Sequence, residues 1–235
     1  PMYYLKKGLA DIKLAGLGKV LGGLFAVLCV GASFGGGNAF QSNQATQQII
    51  SLFGLEGGAT GVLIGVILAV LVGIVIIGGI KKIAKVTDKI VPFMVVIYVA
   101  ASLFVIFANY TMIGDAFMQI FNGAFSPEGV AGGAVGVLIQ GFRRAAFSNE
   151  AGIGSASIAH SAVKTKYAAS EGMVALLEPF IDTVVVCTMT ALVLIITGTL
   201  ATGGPSNDAE AILLTSGAFA SAIRWFTYVL TFAVV

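Results

Sequence analysis

Gly141 through Ser157 reads GFRRAAFSNEAGIGSAS, a polar, glycine-dotted run set between apolar flanks. In a helix facing lipid, Arg143, Arg144 and Glu150 would each cost several kcal/mol. Gly152 and Gly154 would weaken that helix by up to about 1 kcal/mol apiece. Together these residues predict a broken helix buried in protein. A break at membrane depth frees backbone carbonyls and amides, and the dipole ends of the two half-helices face the gap, so one spot can hold a carboxylate and a cation. That is what binding a zwitterion together with sodium requires. The same spacing also fits glycines that only permit close helix packing, with the charges at a helix interface.

The surroundings of this run place it in a membrane. Of the 235 residues, 57% are hydrophobic and 10% charged, and the mean hydropathy is +0.98, outside the range of soluble globular chains. Long apolar stretches recur, and about 20 helical residues at about 1.5 Å rise match a hydrocarbon core of about 30 Å. Runs such as Val62 to Ile80 do not alternate apolar with polar residues, so a strand barrel is excluded. The expected class is an all-α membrane protein in a lipid bilayer. A net charge of +2, with no cluster of basic residues among aromatics, excludes nucleic acid as a partner. Cys29 and Cys187 lie in apolar spans and read as two buried thiols with no disulfide framework. The sequence opens at Pro1 and stops at Val235 inside an apolar run, with no signal peptide. The expectation is an internal fragment, residues 1–235 forming a single membrane domain.

About six crossing units are predicted. The first begins near Leu14, passes Gly31 to Gly37 and continues as a long helix to Phe53, its second half polar. The next two, about Gly61 to Ile80 and Ile90 to Ala108, are separated by Lys81, Lys82, Lys85 and Lys89, read as a short cytoplasmic loop. Asn109 to Gly129, with Asp115, Phe117, Ile120, Phe121, Pro127 and Glu128, suggests a helix lying at the surface. The fourth unit, about Val130 to Val163, is the interrupted one. The fifth, about Pro179 to Leu200, ends in Thr202-Gly203-Gly204-Pro205, and the sixth starts near Leu213. Excess Lys and Arg marks cytoplasmic loops. Lys6, Lys7, Lys13, Lys19, the four lysines of 81–89, Lys164 and Lys166 all fall in alternate segments, beginning with the amino-terminal one. That segment and the links 81–89 and 164–178 are therefore expected in the cytoplasm, with the fourth unit running inward.

A second polar cluster follows the triple glycine: Asn38, Gln41, Ser42, Asn43, Gln44, Thr46, Gln47 and Gln48. Asn43 and Gln47 share a helix face, as do Asn38 and Gln41. Amides donate to carboxylates and accept from ammonium groups, so this face suits a neutral amino acid, and it equally suits hydrogen bonding that holds a bundle together. Gln48 reads as near the membrane interface. His160, the only histidine, gives no support for metal catalysis and suggests a helix end beside Lys164. Glu178 and Asp182 read as acids complementing the amino terminus of the fifth unit. Ser148 has no evident base, so a serine hydrolase is disfavoured.

The run Gly141 to Ala156 resembles the signature of the alanine or glycine:cation symporter family. Pro1-Met2-Tyr3-Tyr4-Leu5, Gly37 through Gln44, and Glu178 through Thr183 are similar to family segments in the same order. The resemblance implies a partial leucine-transporter-type bundle of inverted repeats with one discontinuous helix, the six units being core helices three to eight. It implies that Phe147, Ser148, Asn149, Ala151, Gly152, Ile153 and Gly154 line the substrate site, with Asn43 and Gln44 facing it from the third core helix. Glu150, with Arg143 or Arg144, would support the break.

The expected activity is secondary active symport at the plasma membrane, with no cofactor beyond sodium as coupling ion. Alanine or glycine would be the solute. A same-fold transporter for another small organic solute, or one driven by protons, is the alternative, and a channel is the reading from a different class. No paired catalytic residues suggest an enzyme.

Overall fold

The computed structural model describes residues 1–55, 59–125, 138–139, 141–142, 154–200 and 211–234. Among these, every regular element is a helix, as expected of the class. In chain order they are α1 (Met2–Asp11), α2 (Ala15–Phe34), a π segment (Gly35–Ala39), α3 (Phe40–Phe53), α4 (Thr60–Ile76) and α5 (Gly79–Ala108). A short turn of 3-10 helix (Tyr110–Met112) leads into α6 (Ile113–Ala124). Then come α7 (Ala156–His160), α8 (Ala168–Pro179), a second π segment (Phe180–Val186), α9 (Cys187–Ile196), α10 (Ala211–Ala222) and α11 (Phe226–Val234). The chain divides into two compact units, Pro1–Phe40 with Ala131–Val184 and Gln41–Val130 with Val185–Val235.

Among the described residues, three stretches are long and apolar enough to cross a membrane: Ala15–Phe34, Gly79–Ala108 and Ala168–Ile196. Thr60–Ile76 and Ile212–Ala222 are shorter apolar helices. Val66, Val70, Phe104 and Phe107 stand exposed on their outer faces. Apolar surface on that scale marks a membrane-embedded chain.

In the first unit α1 folds back on α2 through Lys13, which takes φ 64° in the turn. A side chain at Gly18 would stand 2.8 Å from the Leu5 carbonyl oxygen, and one at Gly22 3.1 Å from that of Met2. Glycine at these two positions lets the helix backbones touch. The triple glycine that follows does not end the helix. Residues 35–39 widen into the π segment and α3 continues to Phe53, as the long first unit predicts.

The second unit is built on α5, α9 and α10. Val105, Val193, Ala218 and Phe219 are fully enclosed. The Phe219 ring lies 5.5 Å from Tyr98 and 4.9 Å from Phe226, centroid to centroid. Between helices in lipid, such close packing supplies the attraction that the hydrophobic effect supplies in water. On α6, Ala116 is buried and Ile113 and Ile120 pack on this core, while Phe117 and Phe121 face out. A smaller cluster of Ala45, Ile64 and Leu68 joins α3 to α4.

Several expectations are corrected. Lys81, Lys82, Lys85 and Lys89 do not form a loop but the first turns of α5. Gly79, at φ 71°, turns the chain, and lysine is a good helix former. The 30 residues of α5 extend about 45 Å, well beyond a hydrocarbon core. Lys82 reaches back to donate to the Ile74 carbonyl at 2.7 Å, satisfying an acceptor that the end of α4 leaves open. The fifth unit begins at Ala168, eleven residues before Pro179, because Ala, Glu, Met and Leu sustain a helix there. Glu178 and Asp182 are therefore inside helical segments rather than at the amino terminus of the fifth unit. Pro179 cannot donate its backbone bond, and the chain passes directly into the second π segment. Neither cysteine is in a disulfide, and neither is buried as expected: Cys29 is half-buried and Cys187 exposed. The sixth unit is not one helix: Ile223 to Trp225 separate α10 from α11.

Candidate functional site

The polar face of α3 can be built from its spacing. Gln44 and Gln48 are four residues apart and so lie on one side of the helix. Both are buried, at 8% and 1% exposure, against Ala45 at 5%. Asn43, one residue round, is exposed. Gln48, read from the sequence as near the membrane interface, is among the most enclosed side chains of the second unit. The pairing read from sequence was Asn43 with Gln47. The pairing that packs is Gln44 with Gln48, and their identical spacing carried the signal.

Each buried carboxamide has partners distant in sequence. The Gln44 Oε1 accepts from the backbone amide of Ile212 at 3.2 Å, a donor that the first turn of α10 would otherwise leave open. Gln48 Nε2 donates to Ser216 Oγ at 2.9 Å and to Thr231 Oγ1 at 3.1 Å. Thr231 in turn donates to the Thr227 carbonyl at 2.8 Å. In a straight helix, residues 216 and 231 would be about 22 Å apart. That one nitrogen touches both shows α10 and α11 to be a helical hairpin. The opposite end of the carboxamide, Gln48 Oε1, is buried and has no hydrogen-bond partner. Elsewhere in the same unit, Tyr98 Oη and Thr190 Oγ1 are 2.5 Å apart, joining α5 to α9.

Of the expected substrate-site residues, Phe147, Ser148, Asn149, Ala151, Gly152 and Ile153 lie outside the described residues. So do Arg143, Arg144 and Glu150. Gly154 is described and belongs to the first unit, whereas Asn43 and Gln44 belong to the second. Gly154 takes φ 80°, in a non-helical turn directly before α7, and a side chain there would meet the Phe25 ring at 3.0 Å. Both conditions restrict the position to glycine. Ser157 Oγ donates to the Gly154 carbonyl at 3.0 Å, closing the turn.

His160 ends α7, as its neighbourhood predicts, but its partners were not foreseen. Its Nδ1 is 2.5 Å from Glu171 Oε1 and its Nε2 3.0 Å from Glu178 Oε2, so one ring bridges two carboxylates of α8. The Glu178 and Glu171 carboxylates hold the imidazole pKa above its usual 6.5. Glu171 and Glu178 are seven residues apart, two turns of one helix face, which only the correct start of α8 makes visible. Among the described residues, no group of three or more His, Cys, Asp or Glu could hold a metal ion.

Comparison with known proteins bears on all of these residues. A family model, the sodium:alanine symporter family, matches residues 1–235. The chain is similar to a sodium/alanine symporter, AgcS, of Methanococcus maripaludis, 43% identical over 220 residues, which are 93% of this chain and 47% of that protein. It is 37% identical over 211 residues to the probable sodium/glutamine symporter GlnT of Bacillus subtilis, covering 89% of the chain and 42% of the relative. An amino-acid carrier protein of Bacillus subtilis, AlsT, is 34% identical over 198 residues, 83% of the chain and 40% of the relative. The chain thus spans less than half the length of these curated relatives.

Proposed function

The chain belongs to the sodium:alanine symporter family, a family of transporters and not of enzymes, and from that premise we propose that the whole protein carries a small neutral amino acid, alanine or glycine, into the cell with sodium. The observation that carries this reading is the run Gly141 to Ser157, in which Gly154 stands at φ 80°, outside helical conformation, just before α7 begins. A polar, glycine-dotted segment in so apolar a chain is what solute and ion binding at membrane depth demands.

In this proposal the bundle is of the leucine-transporter type, with residues 1–235 forming a single membrane domain of core helices three to eight. The solute is bound by Asn43, Gln44, Phe147, Ser148, Asn149, Ala151, Gly152, Ile153 and Gly154. Phe147 walls the pocket beside a small side chain, and Ser148 and Asn149 supply polar contacts. Arg143, Arg144 and Glu150 support the break. Sodium is the coupling ion, and the bundle rocks about the broken helices to release both cargoes inside. The protein is multi-pass in the plasma membrane, with the amino-terminal segment in the cytoplasm. The lysines of α1 and of the first turns of α5 support that orientation.

The test is accumulation of labelled alanine by proteoliposomes holding the complete protein, with and without an inward sodium gradient. Sodium-dependent accumulation is expected, and uptake indifferent to sodium would end the reading. Phe147→Ala and Asn43→Ala should each weaken that uptake at unchanged membrane expression, and wild-type transport in both would remove them from the site. Because one relative is named for glutamine, unlabelled glutamine belongs among the competitors beside glycine.

A further inference from the structure

Three bonds from one face of α3 end on one hairpin. Gln44 receives the Ile212 amide at the start of α10, and Gln48 reaches Ser216 one turn further along it and Thr231 on α11. The Gln48 side chain is 1% exposed, and its Oε1 is left without a partner. A buried acceptor with nothing to accept from is costly, so a residue kept there for packing alone would be apolar. What the carboxamide adds is a nitrogen with two N–H donors, one for each helix of the hairpin. The hairpin in turn holds the carbonyl oxygen of Gln44.

We propose that Gln48 is a positioning residue: its carboxamide seats the α10–α11 hairpin on α3 and thereby fixes the orientation of Gln44, and so the affinity for solute. This rests on the functional reading above, which places Gln44 at the solute. Gln48 itself touches no solute. Its removal acts through the seating of the hairpin and shows in how tightly solute is held rather than in how fast a filled carrier turns over.

The test uses the complete protein in proteoliposomes, with Gln48→Met, which keeps length and removes the polar atoms, and Ser216→Ala, which removes one acceptor. Amide hydrogen exchange over residues 211–234 should quicken about tenfold in Gln48→Met, with the α4 and α5 amides unchanged, because the loss is local. Alanine KM should rise about fivefold at a maximal rate within about twofold of wild type, and Ser216→Ala should move it the same way by about twofold. Unchanged exchange, or a fall in maximal rate with KM constant, overturns the proposal. If Gln48→Met fails to fold, Ser216→Ala decides by the same two measurements. If the wild type carries neither alanine, glycine nor glutamine with sodium, the functional reading fails, and exchange alone decides whether Gln48 seats the hairpin.

Discussion

Gln48 in the second unit and His160 in the first each make two side-chain hydrogen bonds, yet the surroundings give the two pairs different weight. Gln48 is neutral and enclosed, and its partners are hydroxyls. His160 is 22% exposed, its partners Glu171 and Glu178 are 19% and 42% exposed, and the tie is ionic. Enclosure removes competition from water, so a neutral bond inside a packed core is hard to replace. An ion pair in contact with water loses most of its attraction to solvent and salt. The second unit is therefore expected to hold together through packing and neutral bonds, and the His160 tie to act as a local, condition-dependent fastening.

The contrast breaks first if the second unit is not well packed. Phe219 is fully buried between Tyr98 and Phe226. Phe219→Ala should cost about 3–5 kcal/mol, the usual range for emptying an enclosed aromatic site. It reads as a large fall in the midpoint of thermal unfolding in detergent. A fall no greater than that of an exposed Phe107→Ala control would mean the core is loose.

A smaller change isolates a neutral bond. Tyr98→Phe deletes the hydroxyl that meets Thr190, while Thr190 keeps its bond to the Val186 carbonyl. The expected loss is about 0.6–1 kcal/mol, since the Thr190 hydroxyl keeps one hydrogen-bond partner and interhelical bonds in membranes are modest. A loss of several kcal/mol would assign α5 and α9 a polar rather than an apolar joint.

How far these features were legible in the sequence depends on which interaction fixed them. The all-helical class follows from apolar run length, and the helix to Phe53 from the helical spacing of its amides past the triple glycine, both local properties. The His160 helix end is local too. The start of α8 was missed because Pro179 and Glu178 look like a helix beginning, and the helix-forming residues before them were given to a loop on account of Lys164 and Lys166. The hairpin of α10 and α11 was missed because its cause is the reach of Gln48 across 168 and 183 positions. On α3 the periodicity offered Asn43 with Gln47 and Gln44 with Gln48 equally, and only packing against Ile64 and Leu68 chooses between them. The residues expected to bind solute from 147 to 153 were singled out by composition and resemblance, and the geometry bears on that stretch only at its end, Gly154.

The smallest effect sharpens the ionic side of the comparison, and its sign follows from proton counting. A histidine that donates to two carboxylates at once must carry protons on both nitrogens, Nδ1 to Glu171 and Nε2 to Glu178. Folding therefore raises its pKa above 6.5, as the two carboxylates require. A group with a raised pKa in the folded state contributes stability that is complete below its unfolded pKa and fades as pH climbs through the folded one. The tie between α7 and α8 should hold near about pH 6 and weaken on the alkaline side, by less than about 1 kcal/mol because the groups are partly exposed. Hydrogen exchange of residues 156–160 against pH reads this directly. Wild-type protection should fall with rising pH, beyond the intrinsic change in exchange rate, and His160→Gln should start lower and run flat. An identical pH slope in the variant would show that the bridge contributes nothing, and that α7 is held instead by the Gly154 turn and its contact with Phe25.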